Sequence, residues 1–175
     1  MSAKVSTDDI IVRAAQFACK AHEGQQRKYT NRPYITHPVR VAGRVATLDE
    51  SNATMVAASF LHDVIEDCGI SYAAIEDMFG KDVADLVLEL TNDPTIQGNR
   101  AERKRQNRER LKAASKEAKI IKLVDRIDNL SELDWSDGFA KVYAAESFLL
   151  LDTSLTGVNT ELENEFRDIC ERILS

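Results

Sequence analysis

Apolar residues recur at intervals of three and four almost from the start of the chain. Ile10, Ile11, Ala14, Ala15, Ala18 and Ala21 share one face of a predicted helix, with Ser6 or Thr7 as its cap. A basic, turn-forming stretch, "EGQQRKYTNRPYITH", follows. Pro38 then suits the first turn of a second helix that points Val41, Ala42, Val45 and Ala46 inward. A third helix is predicted from Ser51 to Asp67, with Gly69 as its stop signal. Ser71 caps a fourth, which Gly80 ends, and Asp82 to Leu90 form a fifth. The segment "NRAERKRQNRERLK" is polar all round and reads as a solvated helix. Beyond it, "SKEAKIIKLVDRIDNL" buries Ile120, Leu123, Val124 and Ile127, and two more helices span about 139–152 and 159–173. No strand alternation, internal repeat, low-complexity tract or linker interrupts this pattern. It predicts an all-α fold, a single-domain helical bundle occupying residues 1–175.

Composition narrows the function more than the fold. The 175 residues are 43% hydrophobic and 30% charged, with a net charge of -6 and a pI near 5.2. That balance argues against a general nucleic-acid binder. The N-terminus lacks the apolar core of a signal peptide, and no apolar run approaches the roughly 20 residues that span a bilayer. Three cysteines without a CxxC pair fit a reducing, cytoplasmic setting. Cys68 follows an acidic pair but has no histidine beside it in sequence, and it reads as a packed thiol. Oligomeric state is left open.

Candidate chemistry gathers in "YITHPV" and "ASFLHDVIEDCG", which hold two of the three histidines. On a continuous helix turning about 100° per residue, His62 and Glu66 lie about 40° apart, as do Asp63 and Asp67. The four would line one wall of a pocket. Three carboxylates this close repel one another, and a divalent cation would resolve the conflict by favouring their anionic forms. Imidazole with carboxylate suits manganese, iron or zinc better than calcium. Adjacent His62 and Asp63 point about 100° apart on such a helix, so other elements must complete the shell. His37 is one candidate. Asp125, at the edge of the stripe formed by Ile120, Ile121, Val124 and Ile127, is another, with Asp128 and Asn129 on the same edge. The plain alternative for Asp125 is pairing with Arg126 or Lys122 on a solvated face.

His37, the His62-Asp63 dipeptide and Asp125 resemble the H…HD…D pattern of the HD superfamily of metal-dependent phosphohydrolases. "GQQRKYTNRPYITHPVRVA", "SFLHDVIEDCGIS" and "KLVDRIDNL" further resemble three motifs of RelA/SpoT-type alarmone hydrolases. The likeness covers about residues 8–150, and the length suits the small stand-alone hydrolases, the group of the metazoan SpoT homologue. It implies a pyrophosphohydrolase that removes the 3′-pyrophosphate from a purine nucleotide such as guanosine 3′,5′-bis(diphosphate). The implied metal ligands are His37, His62, Asp63 and Asp125, around one manganese ion. Glu66 and Asp67 are the implied catalytic pair, and Arg27, Lys28 and Asn129 the implied nucleotide contacts. Synthetase and regulatory segments of the long family members have no counterpart, so hydrolysis alone is expected.

Around that core, Tyr34 is a candidate for stacking on a base or for a hydrophobic staple. The seven Arg/Lys side chains of residues 100–112 are mostly a solvated face, with one or two available to distal phosphates. "AHEGQ" also resembles a family motif, and its His22 reads as a structural residue at a helix end. The sequence departs from relatives at Asp128, where His or Tyr is common, and in "RKYTNRP", which lacks a frequent glycine. An HD enzyme acting on an adenosine alarmone or another nucleotide, and a non-catalytic alarmone-binding module, are the competing readings. Retention of both Glu66 and Asp67 argues against the binding module.

Overall fold

The computed structural model describes residues 7–175, and the cap expected at Ser6 lies outside them. All regular structure among the described residues is helical; the loop after the first helix adds one isolated bridge, between Gln26 and Pro33. The all-α expectation holds. No described helix is long and apolar enough to cross a membrane. The chain divides into two compact units, meeting in sequence at Thr91 and Asn92. No linker composition marks that point.

In the first unit, α1 (Thr7–Ala21), α2 (Thr36–Ala46) and α3 (Ala53–Leu61) are followed by the short α4 (Val64–Cys68), then α5 (Tyr72–Phe79) and α6 (Lys81–Leu90). Helix α3 is the hub, packing against α1, α2 and α6. Its sequence explains the role: Met55, Val56, Ala57, Ala58, Ser59 and Leu61 are all buried, so no polar face is left. Small residues at 57–59 allow close approach by neighbours. Asn52 caps α3 by accepting from Met55 N at 3.0 Å, close to the start predicted at about Ser51. Ser71 caps α5 as predicted, accepting from Ala74 N at 3.2 Å. Arg13 of α1 donates to the carbonyl of Met78 and lies over the Phe79 ring.

The second unit holds α7 (Arg100–Ala113), α8 (Lys116–Ser131), α9 (Gly138–Leu150) with a π-helical turn at Leu151–Leu155, and α10 (Thr160–Leu174). Helix α8 is the apolar centre, packing on α9 and α10. Its buried positions include Ile120, Leu123, Val124 and Ile127, as the stripe predicts. Side-chain caps are explicit: Asn99, Ser115, Asp137 and Asn159 each accept a backbone N–H in the first turn. Glu163 returns the contact at α10, accepting from Asn159 N at 3.0 Å.

Helix three of the sequence reading is the main correction. The continuous helix predicted from Ser51 to Asp67 is two helices, broken at His62 and Asp63.

Candidate metal centre

The break is what builds the site. His62 is the C-cap of α3, and Asp63, with φ -105° and ψ -5°, precedes α4. On an unbroken helix these neighbours would diverge; here Asp63 Oδ2 lies 3.1 Å from His62 Nε2. His37, in the first turn of α2, brings its Nε2 to 3.1 Å from His62 Nε2 and 3.7 Å from Asp63 Oδ2. Both histidines are buried, at 1% exposure each. Pro38 fits this turn because an early helical position needs no backbone N–H.

Hydrogen bonding sets the ring chemistry. His62 Nδ1 lies 2.7 Å from the carbonyl of Ser59, one of the carbonyls freed at the end of α3. A carbonyl only accepts, so Nδ1 carries the proton, and in its neutral form the ring would present a lone pair at Nε2. That arrangement, with the distal nitrogen anchored to a backbone carbonyl, suits a metal-ligating histidine. The donor set of two imidazole nitrogens and a carboxylate oxygen fits a divalent transition metal. His37 and His62 are among the side chains whose ligand atoms are close enough to share an ion.

Glu66 and Asp67 stand on the first turn of α4, both exposed. Partial desolvation of the Asp67 carboxyl, with the negative charges of Asp63 and Glu66, pushes its pKa above the ordinary carboxylate value. The nearby Tyr34 hydroxyl and His22 pull the other way. Gly69, at φ 67°, closes α4 in the left-handed conformation predicted for a stop signal.

Tyr34 has a different place from the one the sequence suggested. Its hydroxyl donates to Asp63 Oδ2 at 2.6 Å, and its ring stacks on His22 with centroids 4.6 Å apart. Burial, then the charge of Asp63, raises the phenol's pKa, so it remains a donor. His22 Nδ1 lies 2.8 Å from Gln25 Oε1 and 3.4 Å from Cys68 Sγ. The histidine that is absent beside Cys68 in sequence is thus present in space. The thiol is still no nucleophile: burial first, and then Asp67, push its pKa up.

Arg27 and Lys28 lie on the loop between α1 and α2, which folds back through Arg27 N–H to the Arg32 carbonyl at 2.8 Å. The Arg27 guanidinium stands 5.3 Å from the Tyr34 ring centroid, and Lys28 Nζ 5.3 Å from that of Tyr29. Asn31 takes φ 54°, and asparagine tolerates that left-handed conformation better than other side chains.

In the second unit, α8 presents Asp125 at 5% exposure. Lys122 Nζ donates to its Oδ2 at 2.9 Å and Asn129 Nδ2 to its Oδ1 at 2.6 Å. The pairing with Lys122 does occur, but buried and not on a solvated face. Arg126 instead lies over the Tyr143 ring, 5.0 Å from its centroid. Much of the basic stretch is engaged within its own unit. Arg100 and Lys104 reach Glu146, Arg105 pairs with Glu102, and Arg103 donates to the Gly98 carbonyl.

Comparison with known proteins gives a match to the HD domain family over residues 14–150. The chain belongs to the HD domain family. Among curated HD relatives, MESH1 of Xenopus tropicalis, named a guanosine-3′,5′-bis(diphosphate) 3′-pyrophosphohydrolase, is 34% identical over 165 residues. The alignment covers 89% of this chain and 90% of that protein. Human MESH1, named for the same activity, is 33% identical over 168 residues, covering 91% and 92%. A solved structure described as a metazoan orthologue of SpoT that hydrolyses ppGpp superimposes with a TM-score of 0.81. Its identity is 31%, over 95% of this chain and 97% of that one.

Proposed function

We propose that this HD protein is a metal-dependent pyrophosphohydrolase that cleaves the 3′-pyrophosphate from guanosine 3′,5′-bis(diphosphate), giving GDP and pyrophosphate. The observation that carries the reading is the meeting of His37, His62 and Asp63 at the break between α3 and α4. Near full-length likeness to proteins named for that activity supports it. Following the H…HD…D motif, His37, His62, Asp63 and Asp125 are the ligands this reading assigns. Manganese is the assigned ion, and when bound it supplies Lewis-acid activation of the attacking water and of the phosphoryl group.

The chain's own residues do the rest. Glu66 and Asp67 sit four residues or fewer beyond Asp63, where one orients the water and accepts its proton. Desolvation raises the pKa of Asp67 above the ordinary carboxylate value, the direction that favours a proton acceptor. Arg27, beside the Tyr34 ring, and Lys28 offer positive charge to the phosphates. Asn129 gives one amide hydrogen to Asp125 and is assigned the nucleotide contact as well. Three free cysteines agree with a reducing, cytoplasmic compartment.

The test is pyrophosphate release by purified protein with manganese from the guanosine substrate, with its adenosine counterpart in parallel. Release that needs metal and stops with a strong chelator supports the proposal. Release without added metal and indifferent to chelator contradicts the metal centre, and no release from either substrate contradicts the activity.

A further inference from the structure

Tyr34 touches the centre, and the chemistry above gives it no role. Its hydroxyl stands 2.6 Å from Asp63 Oδ2, the same oxygen that faces His62 Nε2 at 3.1 Å. A carboxylate oxygen has two lone pairs, so it can accept from a phenol on one side and face a cation on the other. The ring that carries the hydroxyl is held in three ways. It stacks on His22, itself only 2% exposed and tied to Gln25 at 2.8 Å. Arg27 lies 5.3 Å from its centroid. Backbone bonds fix the segment on both sides, from Tyr34 N to the Gln25 carbonyl at 2.9 Å and from His37 N to the Tyr34 carbonyl at 3.0 Å.

From this geometry we infer that Tyr34 is a positioning residue for Asp63, with His22 and Gln25 as the support that aims its hydroxyl. The inference rests on Asp63 being a metal ligand. A carboxylate following a helix break has several rotamers available, and one donor bond to Oδ2 selects the rotamer that faces the two imidazoles. The same backbone contact couples Tyr34 to His37, so one residue sets both the angle of the carboxylate and the entry of α2. His22, buried and without a part in the chemistry, thereby gains a reason to be a flat ring with a polar edge.

Manganese binding to metal-free protein, measured by titration calorimetry, tests this on the wild type, Tyr34→Phe and Asp63→Asn. Tyr34→Phe keeps the ring and its stack, and its affinity is expected to fall about 10- to 100-fold, the usual cost of losing a hydrogen bond behind a ligand. Its circular dichroism should match the wild type, its KM should hold, and excess manganese should restore its turnover. Wild-type affinity in Tyr34→Phe, or a turnover loss that no manganese concentration restores, would overturn the inference while leaving the metal centre standing. Wild-type affinity in Asp63→Asn would instead remove the metal role of Asp63 and the inference with it. Should Tyr34→Phe fail to fold, His22→Asn, which removes the stacked ring and leaves the hydroxyl, is expected to weaken binding in the same direction. Unchanged affinity there counts against the role.

Discussion

Glu66 and Asp67 share one turn of α4 but differ in surroundings, and two predictions separate them. Glu66→Ala should retain its metal, by elemental analysis, while turnover falls about 10²-fold, the range for a lost proton-transfer group. Asp67 is distinguished by pH. Its folded-state pKa is raised by desolvation and by Asp63 and Glu66, so the native state holds that proton to higher pH than the unfolded chain does. Ionised Asp67 therefore costs stability above its folded pKa and costs none below the unfolded value of about 3.9. Metal-free Asp67→Asn should melt above the wild type at pH 7, and the gain should vanish in acid. A lower melting point at pH 7 would mean that the pull of the nearby Tyr34 hydroxyl and His22 outweighs the desolvation. His37, His62, Asp63 and the acidic pair were legible because they crowd short motifs. Tyr34 and His22 were not, since their partners Asp63 and Cys68 lie 29 and 46 residues away and a phenol before a helix reads equally well as a staple.

At the level of elements, most helices follow from apolar spacing and caps, and the exception is instructive. Nothing between Ser51 and Asp67 is a glycine or proline, and Val64 and Ile65 continue the apolar pattern across the break. Local propensity therefore does not record the interruption. Gly69, by contrast, was readable, and its conformation makes a sharp prediction. An added Cβ there meets nothing within 4 Å, so Gly69→Ala is penalised only by its φ of 67°. The expected cost is about 1 kcal/mol, or about 2–4 °C in melting temperature for a chain of this size. Calorimetry that finds no change would show that α4 frays without loss. The π-helical turn at Leu151–Leu155 is a further feature that spacing did not reveal.

For the molecule as a whole, the run of charges along the chain does not reveal which of them are already engaged. The basic run at 100–112 read as a mostly solvated face with one or two cations for distal phosphates, yet Glu146, 42 and 46 residues from Lys104 and Arg100, engages two of its cations. Such a partner is invisible along the chain. Metal should act globally: at a concentration 100 times its Kd, manganese should stabilise the metal-free protein by about 2.7 kcal/mol. Scanning calorimetry would register this as a rise of about 5–10 °C, and an unmoved transition would contradict a cation held by the folded state alone. Chain length is not equally negotiable along this molecule. Because His62 reaches back three residues to the Ser59 carbonyl, a single insertion between them would swing the imidazole by about 100°. Natural or engineered length changes should therefore accumulate elsewhere and spare that short interval.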